Sequence, residues 1–327
     1  MAMSQIGWRS KVVVTPDDPG FPGKSMYDAA NDLERRFKKV LLLINSGSGL
    51  SGDSIAMAQD LTRYIEDKKT SRFSMGLITS SLSSPLAKLV REHGHVVKLK
   101  GRRSPKPTLE YSEIGIMGDM FELGSLLLLS MMTEAIFRNL PVDGVLQLCE
   151  EEFAALGPII DSNLESQTYA RLVDMMEKRT NLFLGGKGTA NEIIKMAAVR
   201  LFHIKGFLGD NVYIARGVNT PRPRAGDLEI LLSFSGETKP VISWCDVFQK
   251  LNGLVLSITG EDTSTLAEKS DLHITLKETV KLGQPRRFYM RAAYALSPLP
   301  VKLAERLDER GLRLPEYIIN WYHSVTQ

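Results

Sequence analysis

Two stretches of the chain, VLLLINSGSGLS at residues 40–51 and LEILLSFSGET at residues 228–238, share one pattern. Each begins with a nearly continuous apolar run, which is typical of a strand buried on both faces of a parallel sheet. Each run ends in a short segment of hydroxyl residues and glycine, and a helical pattern follows. Because ligands of open α/β sheets bind at the carboxyl ends of the strands, both stretches predict a binding loop.

Strands and helices alternate around these two stretches, as in proteins that cover a parallel sheet with helices. The apolar runs predict strands at residues 12–14, 40–45, 74–79, 95–99, 181–184, 212–215, 227–233, 254–259 and 273–276. The helical patterns lie at residues 25–38, 54–67, 85–93, 118–138, 164–177, 191–202, 240–251, 265–270, 287–308 and 315–323. The predicted fold is α/β, with two flavodoxin-like three-layer α/β/α units that contain parallel sheets.

The two halves of the chain can be laid over each other, which we interpret as an internal duplication. Residues 40–50 match 228–237 in position and character, and further matches pair 77–88 with 256–268, 96–99 with 274–276, and 121–138 with 288–305. The predicted domains are residues 1–142, incomplete at the start, and residues 143–327, which include C-terminal helices. The join is predicted within residues 143–156.

The two loops carry the candidate phosphate ligands. Hydroxyls, a glycine and free backbone N–H groups at the start of a helix suit a phosphate group. The alternative is a pair of helix N-caps, since Ser and Thr favour that position in any protein. The occurrence of two such loops at matching places favours phosphate binding. The candidate residues are Ser46, Ser48 and Ser51 in the first loop and Ser233, Ser235 and Thr238 in the second.

Composition and charge exclude several classes of protein. The 327 residues include 41 Lys and Arg against 38 Asp and Glu, and the resulting net charge of +3 is too small to indicate a nucleic-acid partner. The basic stretch at residues 98–106 fits either a solvated loop or an anion-binding segment. Cys149 and Cys245 offer neither a disulfide framework nor zinc spacing. The longest apolar run, residues 123–132, is too short to span a bilayer, and no signal peptide pattern is present, so we expect a cytoplasmic protein without a membrane partner.

The second half resembles the SIS (sugar isomerase) family of phosphosugar-binding domains. The segments that carry the resemblance are NLFLGGKGTANEIIKMAAVRLFHIKGF at 181–207, NVYIARGVNTPRPRAGDLEILLSFSGETKP at 211–240 and LVLSITGEDTSTLAEKSDLHITL at 254–276. The first half is similar to the same family from INSGSGLSGD at 44–53 to GIMGDMFELGSLLLL at 115–129. Within the family, the helix ending in Arg-Leu-Phe-His at 200–203 and the Thr-Pro pair at 220–221 are most similar to 6-phospho-3-hexuloisomerases.

This resemblance implies an isomerase that interconverts D-arabino-hex-3-ulose 6-phosphate and fructose 6-phosphate through a cis-enediol, without a cofactor or metal. It implies that Glu122, in the Phe-Glu-Leu motif, is the base, and that His203 moves a proton between oxygens. Both residue types suit these tasks when burial and neighbours tune their pKa values. The glycine-rich turn adds Gly186, Gly188 and Thr189 as phosphate-binding residues, and the expected assembly is a homodimer.

Neither half carries the whole set of functional residues. Tyr289 stands where the second half would have its glutamate, and the first half lacks a counterpart of His203. We therefore hypothesise that Glu122 and His203 face a shared cleft or meet across a homodimer of the whole chain. Alternatives remain: Glu122 as a first-turn glutamate favoured by the helix dipole, and His203 as a residue that caps the helix end. The alternative function is a catalytically silent phosphosugar-binding sensor.

Overall fold

The computed structural model describes residues 25–101, 116–117, 119–178, 180–215, 220–278 and 285–319. These residues divide into two compact units. The first unit contains the described residues up to 101 together with 119–126, and the second contains 116–117 and those from 127 onward. The strand predicted at residues 12–14, residues 102–106 of the basic stretch and residues 320–323 of the last predicted helix lie outside the described residues.

The first unit is a small parallel sheet with helices in the connections. Its sheet has the order β1-β2-β3, and β1 and β2 run in register from Val40 opposite Phe73. The predicted strands and helices of this part of the chain are confirmed. The elements are α1 (Met26–Arg36), β1 (Val40–Asn45), α2 (Gly52–Lys68), β2 (Phe73–Thr79), α3 (Pro85–Glu92) and β3 (Gly94–Lys98).

One face of this sheet forms the core of the first unit. Ile44 and Leu77 point into a cluster of buried side chains from α1, α2 and α3. On the opposite face, Leu41 is 60% exposed, Leu43 40% and Val97 48%. The prediction that β1 is buried on both faces is therefore wrong. The strand order explains this, because two successive right-handed crossovers in the same direction place α2 and α3 on the same side of the sheet.

The second unit has a five-stranded parallel sheet in the order β5-β4-β6-β7-β8. A long helix, α4 (Asp119–Arg138), supplies its last twelve residues to this unit and its first eight to the first unit. The other elements are α5 (Val142–Leu164), α6 (Gln167–Glu177), β4 (Leu182–Gly186), α7 (Thr189–Phe207), β5 (Val212–Ile214), β6 (Leu228–Leu232), α8 (Lys239–Lys250), β7 (Leu254–Thr259), α9 (Thr265–Lys269), β8 (Leu272–Thr275), α10 (Phe288–Leu296), α11 (Pro298–Glu309) and α12 (Glu316–Ile319).

Both faces of the second sheet are covered, so this unit has the predicted three layers. Helices α8 and α9 pack on one face, where Leu231 and Phe248 belong to a buried cluster, and α6 and α7 contact the strands from the other side. All five residues of β6 are buried, as predicted for this run. In the sheet, β5 lies on one side of β4, and β6, which follows β5 in the sequence, lies on the other side of β4. The topological switch point, where such sheets bind ligands, therefore lies between β4 and β6.

Two sequence expectations differ from the observed helices. The helix predicted at residues 287–308 is two helices, α10 and α11, which meet at Ser297. Pro298 and Pro300 account for the break, since proline cannot donate the N–H that a continuous helix requires. The predicted join at residues 143–156 lies inside the long helix α5. The domain boundary at residue 142 remains a prediction.

Helix α4 has 20 residues, twice the length of the apolar run considered from the sequence, and is long and apolar enough to cross a membrane by length and composition. Length alone therefore does not exclude a span, contrary to the sequence argument. A single helix of this kind is weak evidence, because core helices of water-soluble proteins pass the same test. Moreover, α4 carries the buried carboxylate of Glu134, which pairs with Arg287 at 2.8 Å and Arg138 at 2.7 Å.

Candidate functional site

The loop after β1 is a tight turn built around one glycine. The Oγ atom of Ser48 accepts a hydrogen bond from the N–H of Leu50 at 3.2 Å. Gly49 has φ of 66°, in the region that favours glycine. A Cβ atom at this position would lie 2.2 Å from the Oγ of Ser84, the N-cap residue of α3. The glycine is therefore required both by its backbone angle and by the close approach of Ser84.

The loop after β6 repeats this geometry in the second unit. Ser235 Oγ accepts the N–H of Glu237 at 3.2 Å. Gly236 has φ of 64°, and a Cβ there would lie 2.0 Å from the Oγ of Ser264, the N-cap residue of α9. The two loops thus match in their hydroxyl turn, their left-handed glycine and the serine that packs on it.

The hydroxyls at the two helix starts do not act as ordinary caps. Ser51 is the N-cap of α2 and Thr238 the N-cap of α8, yet neither side chain accepts a hydrogen bond from its own helix. By contrast, Ser84 does accept one, from the N–H of Ala87. Thr238 Oγ1 instead lies 3.0 Å from Ser233 Oγ. This contrast favours ligand binding over the capping alternative for the two loops.

The glycine-rich turn and the second loop meet at the switch point. Strands β4 and β6 are neighbours with Gly186 opposite Leu232, so the turn that begins at Gly186 and the loop that begins at Ser233 lie at the same edge of the sheet. A Cβ at Gly186 would lie 2.9 Å from the backbone of Ala190, in the first turn of α7. Lys187, in this turn, is exposed and lies over the ring of Trp244 at 5.3 Å.

Hydrogen bonds hold the start of α4, which carries Glu122, near the first loop. Asn45, the last residue of β1, donates from Nδ2 to Ser125 Oγ at 3.1 Å. Ser125 Oγ in turn donates to the backbone oxygen of Glu122 at 3.0 Å. Because Ser46 follows Asn45 directly, these bonds hold the first turn of α4 beside the first loop. Glu122 itself is half-buried.

His203 lies on the C-terminal half of α7, with its ring edge against Phe202 at 5.6 Å between centroids. Thr189 begins this helix, so a rise of 1.5 Å per residue separates His203 from the glycine-rich turn by about 20 Å. A role in proton transfer would therefore require a site other than the one at this turn. The assignment of His203 stays a prediction.

Sequence reasoning missed one feature of the second loop. Arg286 stacks on the ring of Phe234, with its guanidinium carbon 3.8 Å from the ring centroid. Phe234 also meets Phe288 edge-on at 5.2 Å. The motif Arg-Arg-Phe ahead of α10 is the only sequence signal of this cationic group, and it does not specify a partner.

Among the described residues, His273 and one group of possible metal ligands lie outside the two loops. His273 is held between Ser257 at 2.9 Å and Thr275 at 2.8 Å, and burial lowers its pKa, as expected of a structural histidine. Glu66, Glu92 and His93 form the one group of metal-ligand donors within 4.8 Å of each other among the described residues. Because both carboxylates are exposed, this group does not indicate a metal centre.

Comparison with protein families identifies a match to the SIS domain over residues 175–285. The 3-hexulose-6-phosphate isomerase of Methanocaldococcus jannaschii is 31% identical over 139 residues, which are 42% of this chain and 74% of that protein. The enzyme of the same name from Bacillus subtilis is 32% identical over 111 residues, 34% of this chain and 58% of its own length. An uncharacterised protein of Archaeoglobus fulgidus is 27% identical over 120 residues, 37% of this chain and 63% of its length. The chain thus spans about three fifths of the length of the last two relatives.

Solved structures share the fold over most of the chain. A candidate tagatose-6-phosphate ketose/aldose isomerase of Clostridium novyi has a TM-score of 0.56 at 12% identity, covering 94% of this chain and 85% of that protein. A candidate phosphosugar isomerase of Silicibacter pomeroyi has a TM-score of 0.53 at 17% identity, with 87% and 77% covered. At these identities the likeness shows the fold alone.

Proposed function

Because the chain belongs to the SIS domain family, we propose that it is a phosphosugar isomerase that interconverts a hex-3-ulose 6-phosphate and fructose 6-phosphate. The observation that carries the proposal is the pair of matching loops, whose helix-start hydroxyls at Ser51 and Thr238 cap neither helix. The relatives named 3-hexulose-6-phosphate isomerase support this choice of substrate.

The loops would hold the phosphate group as a handle. Hydroxyls at the carboxyl end of the strand and N–H groups at the start of the following helix are donors that suit an anion, and the helix dipole adds to the attraction. In the first unit the donors are Ser46, Ser48 and Ser51. Binding through the phosphate would fix the sugar carbons relative to the start of α4, which converts substrate affinity into orientation.

Glu122 would act as the base in the first unit. Its carboxylate takes the proton from the carbon beside the carbonyl, and the C–H electron pair forms the double bond of a cis-enediol. The same carboxyl group then returns the proton to the former carbonyl carbon, while a second proton moves between the two oxygens. His203 of a second copy of the chain, or water, would carry that second proton. No oxidant or reductant is consumed.

Proton NMR in deuterated water tests the proposal. We expect solvent deuterium to enter fructose 6-phosphate at carbon 3, because reversible formation of the 2,3-enediol exchanges that proton. A panel of other sugar phosphates would define the substrate class. If calorimetry shows sugar-phosphate binding but deuterium enters none of the panel, the chain is a silent sensor and the proposed activity is wrong.

The first loop can be tested by replacing its three hydroxyls. The variant Ser46→Ala, Ser48→Ala, Ser51→Ala removes hydrogen bonds to a charged group, each worth roughly 1.5–3 kcal/mol. We expect the affinity of the first site for fructose 6-phosphate to fall at least tenfold in calorimetry. Ser71→Ala, an exposed position before β2, is the matched control. Unchanged binding at both sites would contradict the assignment of this loop.

We also propose a duplication, a homodimer and a location for the chain. The shared geometry of the two loops supports an internal duplication of one ancestral unit. A homodimer of the whole chain would let His203 serve the site of another copy. A cytoplasmic location is proposed from the sequence alone.

A further inference from the structure

The second unit keeps its phosphate loop but has lost the glutamate that the first unit carries at the start of α4. Tyr289, in the first turn of α10, occupies the position that matches Glu122. A base for this loop would therefore have to come from another position in the second unit.

Glu278 is such a carboxylate. The N–H of Leu276 donates to the oxygen of Thr259, as the N–H of Leu99 donates to the oxygen of Thr79, so the two leucines are equivalent. Glu278, two residues after Leu276, therefore matches Gly101. The second unit thus has a carboxylate at a position where the first unit has a glycine.

The space around these matched positions differs between the two units. A Cβ at Gly101 would lie 2.6 Å from the backbone nitrogen of Phe121, which leaves no room for a side chain. In the second unit a glutamate fits at the same place, and the backbone N–H groups of Phe288 and Arg287 are near its carboxylate. The helix start of the second unit is thus rearranged to admit a carboxyl group.

The carboxylate of Glu278 lies near the first backbone N–H groups of α10, and its surroundings are mostly buried. Both of its oxygens are buried and complete no hydrogen bond with the described residues. Burial raises its pKa, and this effect outweighs the nearby N–H groups and the charges of Arg291 and Arg286, which lower it. A buried carboxyl group with a raised pKa beside a binding loop is typical of a general acid or base.

Glu237 provides the comparison within the same unit. It accepts the N–H of Thr265 at 2.7 Å and the hydroxyl of Thr265 at 2.9 Å, at the start of α9. These bonds lower the pKa of Glu237. Glu237 caps α9 and is more acidic than usual, whereas burial makes Glu278 less acidic than usual although N–H groups at the start of α10 lie near it.

Two further groups converge on the same place. Arg286 lies over Phe234, the second residue of the loop, and its positive charge acts on both Glu278 and Tyr289. The phenol of Tyr289 is half-buried, and burial raises its pKa, so it stays protonated near neutral pH. Arg286 thus contacts the loop through Phe234 and also acts electrostatically on a carboxylate and a phenol.

We propose that the second unit is a separate catalytic centre in which Glu278 is the base for a phosphosugar seated on Ser233, Ser235 and Thr238. Glu278 takes the proton from the carbon beside the carbonyl, the electron pair forms the enediolate double bond, and Arg286 stabilises the negative oxygen. The Tyr289 hydroxyl moves a proton between the two oxygens, and Glu278 returns its proton to the neighbouring carbon. This inference rests on the proposed function.

Deuterium exchange into fructose 6-phosphate tests the inference in the full chain. Glu122→Gln should leave exchange at the rate of the second centre, and adding Glu278→Gln should lower that remaining rate by about 10²–10⁴-fold. Glu268→Gln, an exposed position on α9, is the matched control in the Glu122→Gln background. Calorimetry with fructose 6-phosphate should show that the Glu278→Gln protein still binds at the second loop, which excludes simple misfolding.

The pH profile gives a second measurement. In the Glu122→Gln protein, exchange should fall as the pH drops through the raised pKa of Glu278, because only the ionised carboxylate can take a proton. The acid limb should therefore lie at a higher pH than for an ordinary glutamate, and it should disappear in the double variant. The charged and titratable groups that face Glu278 are Arg286, Arg291 and Tyr289.

Failure of the second centre and failure of the proposed function would give different results. If Glu122→Gln abolishes exchange, or if the double variant exchanges as fast as Glu122→Gln, the second centre does not exist as proposed while the isomerase assignment stands. If the unmodified protein exchanges no sugar phosphate, the proposed function fails and the inference fails with it.

Discussion

Glu122→Gln is expected to slow turnover about 10²–10⁴-fold, the usual cost of losing a general base. The change should be made in a chain whose second loop carries Ser233→Ala, Ser235→Ala and Thr238→Ala, so that the second unit does not contribute. Glutamine keeps the size of the side chain but cannot accept the proton from carbon. The effect should fall on kcat, measured for the interconversion of a hex-3-ulose 6-phosphate and fructose 6-phosphate.

The affinity for fructose 6-phosphate distinguishes a role of Glu122 as a base from a structural role. The first loop is untouched in Glu122→Gln, and its turn around Gly49 does not involve the glutamate side chain. Calorimetry should therefore give nearly unchanged binding of fructose 6-phosphate. Glu66→Gln, an exposed change on α2, should alter neither quantity. Turnover within threefold of the parent chain would remove Glu122 from the mechanism and return it to the helix-dipole explanation.

Local patterns predicted most of the second unit. The run at 228–232 is apolar except for Glu229, and all five residues are buried between helices on both faces of the sheet. The equally apolar run at 40–45 misled the same reasoning, because Leu41 and Leu43 lie on the exposed face. Whether a face of a strand is buried depends on the side of the sheet on which each crossover helix lies. The strand order determines that side. Strand order depends on contacts between segments that are distant in sequence, so a local apolar run does not predict it.

The sequence predicted the positions of the two loops but not the groups that lie around the second loop. Ser233 and Thr238 lie in one continuous segment, so the sequence could place them in the same loop, and their binding role stays a prediction. The stacking of Arg286 on Phe234 depends on how the start of α10 lies against the loop after β6. The alignment of the halves did show that Tyr289 replaces a glutamate, but it ended before residue 278.

A buried ion cluster between α4, α5 and α10 carries the largest expected effect on stability. Glu152 is fully buried and accepts hydrogen bonds from Arg287 at 2.7 Å and from Arg291 at 2.7 and 3.0 Å. Arg287 also forms a two-pronged pair with Glu134 at 2.8 and 2.9 Å. Buried charges persist only when they are paired, since each alone pays a desolvation cost of several kcal/mol.

Glu152→Ala is expected to lower the free energy of unfolding of the second unit by about 3–5 kcal/mol, because it leaves two guanidinium groups without their shared partner. Chemical unfolding followed by circular dichroism measures this change. Asp174→Ala is the matched control: its pair with Arg306 at 2.8 Å is exposed, and such pairs contribute about 0–1 kcal/mol. If Glu152→Ala destabilises the unit no more than Asp174→Ala does, the cluster does not hold α5 and α10 together. A large loss for Glu152→Ala alone would show that these buried charges hold α10, which carries Tyr289, against α5.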